Sequence, residues 1–173
     1  MNGNLLIVGA GSYALVAAEI AANMGCFENI AFIDDAVKTL KNGAPVAGTT
    51  RDLESLSGKY SYVVVAIGNP QVRLSLLDKI RKETTYQVPS LVSPRAYISP
   101  SAKVMSGCII EPMAVIHSGS VLEEGCIISA GAVVNHESTC CRGVHVDCNG
   151  TVEAYAIVPA KTKICSGEVY GDV

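Results

Sequence analysis

The sequence predicts two architectures in succession: an α/β parallel sheet over residues 1–90, then a parallel β-helix over residues 91–173. Three observations predict this. Up to about residue 90, short apolar runs alternate with helical stretches, the pattern of a doubly wound sheet. From Ile98 onward aliphatic residues return every six positions, a phase that neither a helix nor a hairpin array holds for long. Finally, 49% of the 173 residues are hydrophobic but only 5% are aromatic and none is Trp, so Val, Ile and Ala must fill the core. Such side chains pack well in strands.

The first half reads in order. "NLLIVGA" is a buried strand, and residues 12–25 form a helix with Ala, Val and Ile on its inner face. "IAFIDD" is a second strand, and a short helix is expected around "RDLESL". "YSYVVVAIG" is a third strand, followed by the helix "PQVRLSLLDKIRKE" with Pro70 in its first turn. A Rossmann-like sheet of four or five strands is expected. The apolar N-terminus lacks a basic start and is interrupted by Gly9, Gly11 and Glu19, so it reads as strand and helix, not as a signal peptide or membrane span. A formal net charge of −3 without a long basic cluster argues against nucleic-acid binding. Seven cysteines without a secretory signal read as reduced thiols, so a soluble cytoplasmic protein is expected, with no membrane partner.

In the second half, the positions from Ile98 through Val104, Ile110 and onward in sixes to Ile164 are aliphatic except Cys140. Four residues after each comes a small residue, from Ala102 to Thr162, with Val144 the largest. The aliphatic residue points inward and the small one fits a tight corner. Three hexapeptides make one coil, so residues eighteen apart stack, with coils roughly 4.8 Å apart.

The stretch "VVNHESTCCRGVHV" holds two of the three histidines in this repetitive background. His136 stacks in a column with Pro100, Ser118 and Ala154, and stands out from it. His145 points outward in the column Ile109, Ile127, His145, Lys163; the neighbouring outward column is Tyr97, Val115, Val133, Thr151. Apolar outward columns read as a subunit interface. The two histidines lie half a coil apart, so they can act together only across neighbouring copies, and a homotrimer is expected. Histidine suits proton transfer because its pKa of about 6.5 lies near working pH. Glu137 beside it can orient the ring and favour its protonated form. The plain alternative is that both histidines are exposed polar residues.

The segment "NHESTCCRGVHVDCNGTV" resembles the His-Glu/Asp segment of the bacterial nucleotide-sugar N-acetyltransferases and sialic acid O-acetyltransferases. These are hexapeptide-repeat acyltransferases with a left-handed β-helix. "IVGAGSYALV", "FIDD", "AIGNPQVR" and "VSPRAYISPSAKV" are similar to further motifs of that family, so the likeness covers nearly the whole chain. It implies that acetyl-CoA binds between adjacent β-helices and the sugar nucleotide against the N-terminal sheet. His136 is then the general base, Glu137 its polarising neighbour, and His145, Ser129 and Gly143 lie on the acetyl-CoA side. Tyr13 stands where the family usually has His, Ser12 where it often has Gly, and Ser129 where Asn is common.

"GAGSYA" between strand and helix suits an anion-binding turn, although Ala14 takes the third glycine position of a dinucleotide fingerprint. A nucleotide-sugar site places Gly11, Ser12 and Tyr13 near the phosphates, with Asp34, Asp35, Gly68 and Asn69 around the rest. Gly9 also reads simply as a turn former. Cys108 and Cys126 fall on the corner position, Cys140 in the core, and neither the other cysteines nor the histidine spacings suggest a metal. The expected function is acetyl transfer from acetyl-CoA to a UDP-linked amino sugar in surface-glycan biosynthesis. The alternatives are O-acetylation of sialic acid or a related sugar, a non-catalytic trimeric β-helix, and an NAD-dependent oxidoreductase.

Overall fold

The computed structural model describes residues 3–171. Its chain falls into two units that meet in sequence between Pro89 and Ser90.

In the first unit, β1 (Leu5–Val8), β2 (Ile30–Ile33) and β3 (Tyr62–Val65) form a parallel sheet in the order β2-β1-β3. All four β1 residues are buried, as expected of a central strand. Helix α1 (Ser12–Met24) ends at Gly25, whose left-handed φ of 65° closes its last turn. A 3-10 turn (Thr50–Asp52), opened by a Thr49–Asp52 capping box, leads into the short α2 (Leu53–Leu56). Helix α3 (Pro70–Glu83) has Pro at its start and an Asn69 side-chain cap.

The sheet is smaller than the four or five strands expected. Among the described residues it has three, and the next segments touch it only as single bridges, Ile33 to Gly48 and Tyr62 to Gln87. Local side chains explain the shortfall after β2. Asp34 accepts from the N–H groups of Ala36 and Val37, and Asn42 from that of Ala44, so the backbone turns instead of extending a ladder.

Among the described residues the second unit is a parallel β-helix of two-residue strands in three sheets of five, five and four. Its first face carries Leu91–Val92, Ile109–Ile110, Ile127–Ile128, His145–Val146 and Lys163–Ile164. Its second carries Tyr97–Ile98, Val115–Ile116, Val133–Val134, Thr151–Val152 and Val169–Tyr170. Its third carries Lys103–Val104, Val121–Leu122, Thr139–Cys140 and Ile157–Val158. Pairing joins residues eighteen apart, as Ile109 to Ile127 and Ile127 to His145.

The aliphatic column from Ile110 to Ile164 is wholly buried, with Ile98 and Val104 packed against it at one end. The repeat runs one hexapeptide further each way than the sequence pattern marked, to Val92 and Tyr170. Corner residues do more than fit. Cys108 Sγ donates to Glu123 O at 3.2 Å, Ser120 Oγ to Asn135 O at 2.8 Å and Cys126 Sγ to Cys141 O at 3.3 Å. Each bridges to a carbonyl fifteen residues on, so a thiol stands in for a hydroxyl.

A third register, absent from the sequence reading, governs the turns. Every sixth residue from Gly107 to Gly167 has a left-handed φ; most are Gly, but Met113, Glu137, Asn149, Tyr155 and Lys161 occupy it as well. The outward columns also differ from expectation. Ile109 and Ile127 on the first face are fully buried. The second-face column stays open, with Tyr97 56% and Val169 60% exposed at its ends.

Candidate active site

His136 lies in the turn between Val133–Val134 on the second face and Thr139–Cys140 on the third. His145 lies on the first face, opposite that edge, so one prism holds the two histidines apart. The turn is rigid at Asn135. Its N–H donates to Val152 O at 3.0 Å, and its carbonyl accepts from Ser120 Oγ at 2.8 Å and from Ser138 Oγ. The Asn135 side chain folds onto His136: Oδ1 lies 2.9 Å from the His136 N–H and 3.0 Å from ring Nδ1. The Tyr155 ring meets the imidazole edge-to-face, with centroids 5.3 Å apart and an interplanar angle of 83°.

Glu137 takes the left-handed position of this turn, with φ 56°, and its carboxylate packs over Gly119 in the adjacent coil. Among the described residues no hydrogen bond joins it to the His136 ring. Ser129, His145 and Gly143 sit on a different part of the prism. Ser129 Oγ is 3.2 Å from His145 Nε2, and Gly143 forms the turn before His145, its N–H donating to Glu124 O at 2.9 Å. The chain therefore brings Ser129 and His145 together, and separates both from His136.

In the first unit, a cleft of about 500 Å³ opens at the carboxyl ends of the strands, lined by Gly9, Asp34, Asp35, Ile67 and the α3 residues Gln71 and Val72. A crevice at this end of a parallel sheet is where nucleotides bind in such folds. Both carboxylates are already engaged. Asp34 Oδ2 accepts from the Ala10 N–H at 2.8 Å, tying the glycine loop to the end of β2, while Oδ1 accepts from Ala36 and Val37. Burial raises the Asp34 pKa, but the N–H groups of Val37, Ala36 and Ala10, with Lys38 nearby, outweigh it and hold the carboxyl below its ordinary range. Asp35 accepts from the Thr50 N–H at 2.8 Å and from its hydroxyl.

Gly11 and Ser12 are exposed at the start of α1, where no side chain caps the helix, and Tyr13 is half-buried behind them. Gly68 and Asn69 are exposed at the start of α3, and Asn69 Oδ1 caps it by accepting from the Val72 N–H at 3.1 Å. Gly9 has φ 113°, and a Cβ there would stand 2.9 Å from Ala66 O, which alone requires glycine. Gly9 lines the cleft, whereas Gly11, Ser12, Tyr13, Gly68 and Asn69 are not among its lining residues.

Three residues escaped the sequence reading. Asn135 was hidden because its role depends on a turn conformation. Tyr155 was hidden because it is nineteen residues from His136, although an aromatic in a Gly register is a visible signal. Arg73 is fully buried, and its guanidinium donates to Ile67 O at 2.7 Å and Gly68 O at 2.8 Å, shaping the β3–α3 loop. Among the described residues no group of three His, Cys, Asp or Glu side chains is placed to hold a metal, and no helix is long and apolar enough to cross a membrane.

The family model of the PglD N-terminal domain matches residues 4–80. The acetyltransferase domain of PglB from Neisseria gonorrhoeae FA1090 is 31% identical, over 96% of this chain and 87% of its own, with a TM-score of 0.69. The same domain in complex with acetyl coenzyme A aligns at 26% identity over 97% and 98%, with a TM-score of 0.71. PerB from Caulobacter crescentus, in complex with CoA and GDP-perosamine, is 24% identical over 98% and 92% and shares the fold with a TM-score of 0.76. The β-helix here is accordingly left-handed.

Proposed function

We propose that this chain, which belongs to the nucleotide-sugar N-acetyltransferases of the hexapeptide-repeat family, transfers the acetyl group of acetyl-CoA to the amino group of a UDP-linked sugar in cytoplasmic surface-glycan biosynthesis. It is an acetyl-CoA-dependent acetyltransferase acting on a sugar. The observation that carries the reading is His136: one proton-transfer side chain, in a rigid turn, breaking a column that is otherwise Pro, Ser and Ala.

In this reading the amine nitrogen attacks the thioester carbon, and a C–N bond forms. His136 takes the proton released from the amine, the C–S bond breaks, and the proton passes to the departing thiolate. No covalent enzyme intermediate is required, so alignment and proton transfer supply the rate. Glu137 is assigned in this reading as the polarising neighbour of His136. His145, Ser129 and Gly143 belong to the acetyl-CoA side, and because one prism separates them from His136, the working site joins two copies in a homotrimer. The nucleotide is assigned to the cleft of the first unit, with Asp34 and Asp35 in its wall; Gly11, Ser12 and Tyr13 are assigned to its phosphates and Gly68 and Asn69 to the rest of the ligand. PerB is seen in complex with GDP-perosamine, so the nucleobase must be tested directly.

The test incubates purified protein and acetyl-CoA with UDP-amino sugars, GDP-amino sugars and sialic acid, and reads products by mass spectrometry. The expected result is one acetyl added to a UDP-amino sugar, with turnover reduced by about 10² or more in His136→Ala. Acetylation of only a GDP-amino sugar would replace the nucleotide, and of only sialic acid the acceptor atom. No product from any acceptor would overturn the reading.

A further inference from the structure

We propose that Asn135 is the positioning residue that fixes the His136 imidazole as its Nδ1–H tautomer and leaves Nε2 as the basic nitrogen. This rests on the proposed role of His136 as base, and adds to it which nitrogen acts and what selects it.

The hydrogen bonding around His136 is asymmetric. A backbone N–H can only donate, so the Asn135 side-chain atom 2.9 Å from the His136 N–H must be the carbonyl oxygen, not the amide nitrogen. That same oxygen lies 3.0 Å from His136 Nδ1. An oxygen without a proton can only accept there, so Nδ1 must carry the hydrogen. In the neutral ring, Nε2 is then left with its lone pair, as a general base needs.

The rest of the turn keeps this arrangement from relaxing. The Asn135 backbone is pinned by Val152 O on one side and by two buried serine hydroxyls, Ser120 and Ser138, on the other. Tyr155 covers the ring edge-to-face, from a left-handed φ of 65° that tyrosine seldom adopts. The clamp is therefore an amide oxygen and an aromatic ring, both neutral. The adjacent carboxylate of Glu137, which sequence adjacency singles out as the orienting group, lies over Gly119 instead.

The decisive experiment records long-range ¹H–¹⁵N correlation spectra of the labelled protein above the titration range of its three histidines, with the His136 signals identified by their loss in His136→Ala. The expected result is a protonated Nδ1 and an unprotonated Nε2 at His136. Asn135→Ala should shift the ring toward the Nε2–H form and lower acetyl transfer roughly three- to tenfold, the scale of one hydrogen bond. Asn135→Asp restores an acceptor, so it should restore the Nδ1–H form, while its charge moves the acid limb of the pH–rate profile upward. Glu137→Gln should leave the tautomer unchanged. An Nε2–H ring in the native protein, or one unaltered by Asn135→Ala, would overturn the proposal. The spectra need no substrate. The expected tautomer without acetyl transfer to any sugar would sink the functional reading alone, and the opposite tautomer with active transfer would sink this one alone.

Discussion

Asp34 and Asp35 read in sequence as ligand-facing carboxylates at a strand end, and in the fold each is first an acceptor for its own chain. Asp34 gathers three backbone N–H groups from two loops. Asp34→Asn replaces one acceptor oxygen by a donor that faces an N–H, so it should destabilise the first unit at pH 7 by about 1–3 kcal/mol. The native carboxyl titrates below its ordinary value of 3.8. Its contribution is therefore complete above that value and lost as pH falls through the lower folded pKa. Urea midpoints of native and variant should consequently converge as pH drops below about 4, and a gap that persisted would assign the effect to packing. The glycines divide in the same physical way. Gly9 is demanded by φ and by Ala66 O, whereas a Cβ at Gly11 or Gly68 would meet nothing within 4 Å. Those two are free to approach a phosphate or sugar, and Gly68→Ala should affect nucleotide-sugar KM more than stability.

At the scale of the repeat, the inward and corner registers were legible because each is a property of side-chain type. The left-handed register was legible only as a recurrence of glycine at 107, 119, 125, 131, 143 and 167, broken by Met113, Glu137, Asn149, Tyr155 and Lys161. Its energetics can be measured at three positions. Lys161, exposed with φ 65°, should gain about 0.5–1 kcal/mol on replacement by Gly, the strain relieved less the added chain entropy. Gly167→Ala meets no neighbour within 4 Å and should lose about 1 kcal/mol through its backbone alone. Gly131→Ala also drives a Cβ into Asn149 Oδ1 and should lose more. Thermal melts of the three variants would show this order, and equal losses in the two alanine variants would deny the coil-to-coil contact.

At the scale of the whole molecule, the separation of His136 from His145 around one prism leads to a complementation test. If a site joins His136 of one copy to His145 of its neighbour, His136→Ala and His145→Ala should each be poorly active alone. Mixed trimers refolded from equal amounts should recover about one quarter of native activity, because random neighbours pair two intact groups in about one site of four. No recovery would place both histidines in the same copy's site or outside the chemistry. The hexapeptide period by itself determined the β-helix, its core column and its stacking, because in a two-residue strand the direction of each side chain follows from its place in the repeat. The alternation of strands and helices likewise determined β1, β2, β3 and both longer helices. Only the tertiary structure decided that Asn135 meets the His136 ring and that Glu137 lies over Gly119. It alone decided that Ile109 and Ile127 are buried, and that among the described residues the sheet has three strands. Turn side chains take their direction from φ and from coils eighteen residues away, and neither is carried by the order of neighbouring residues.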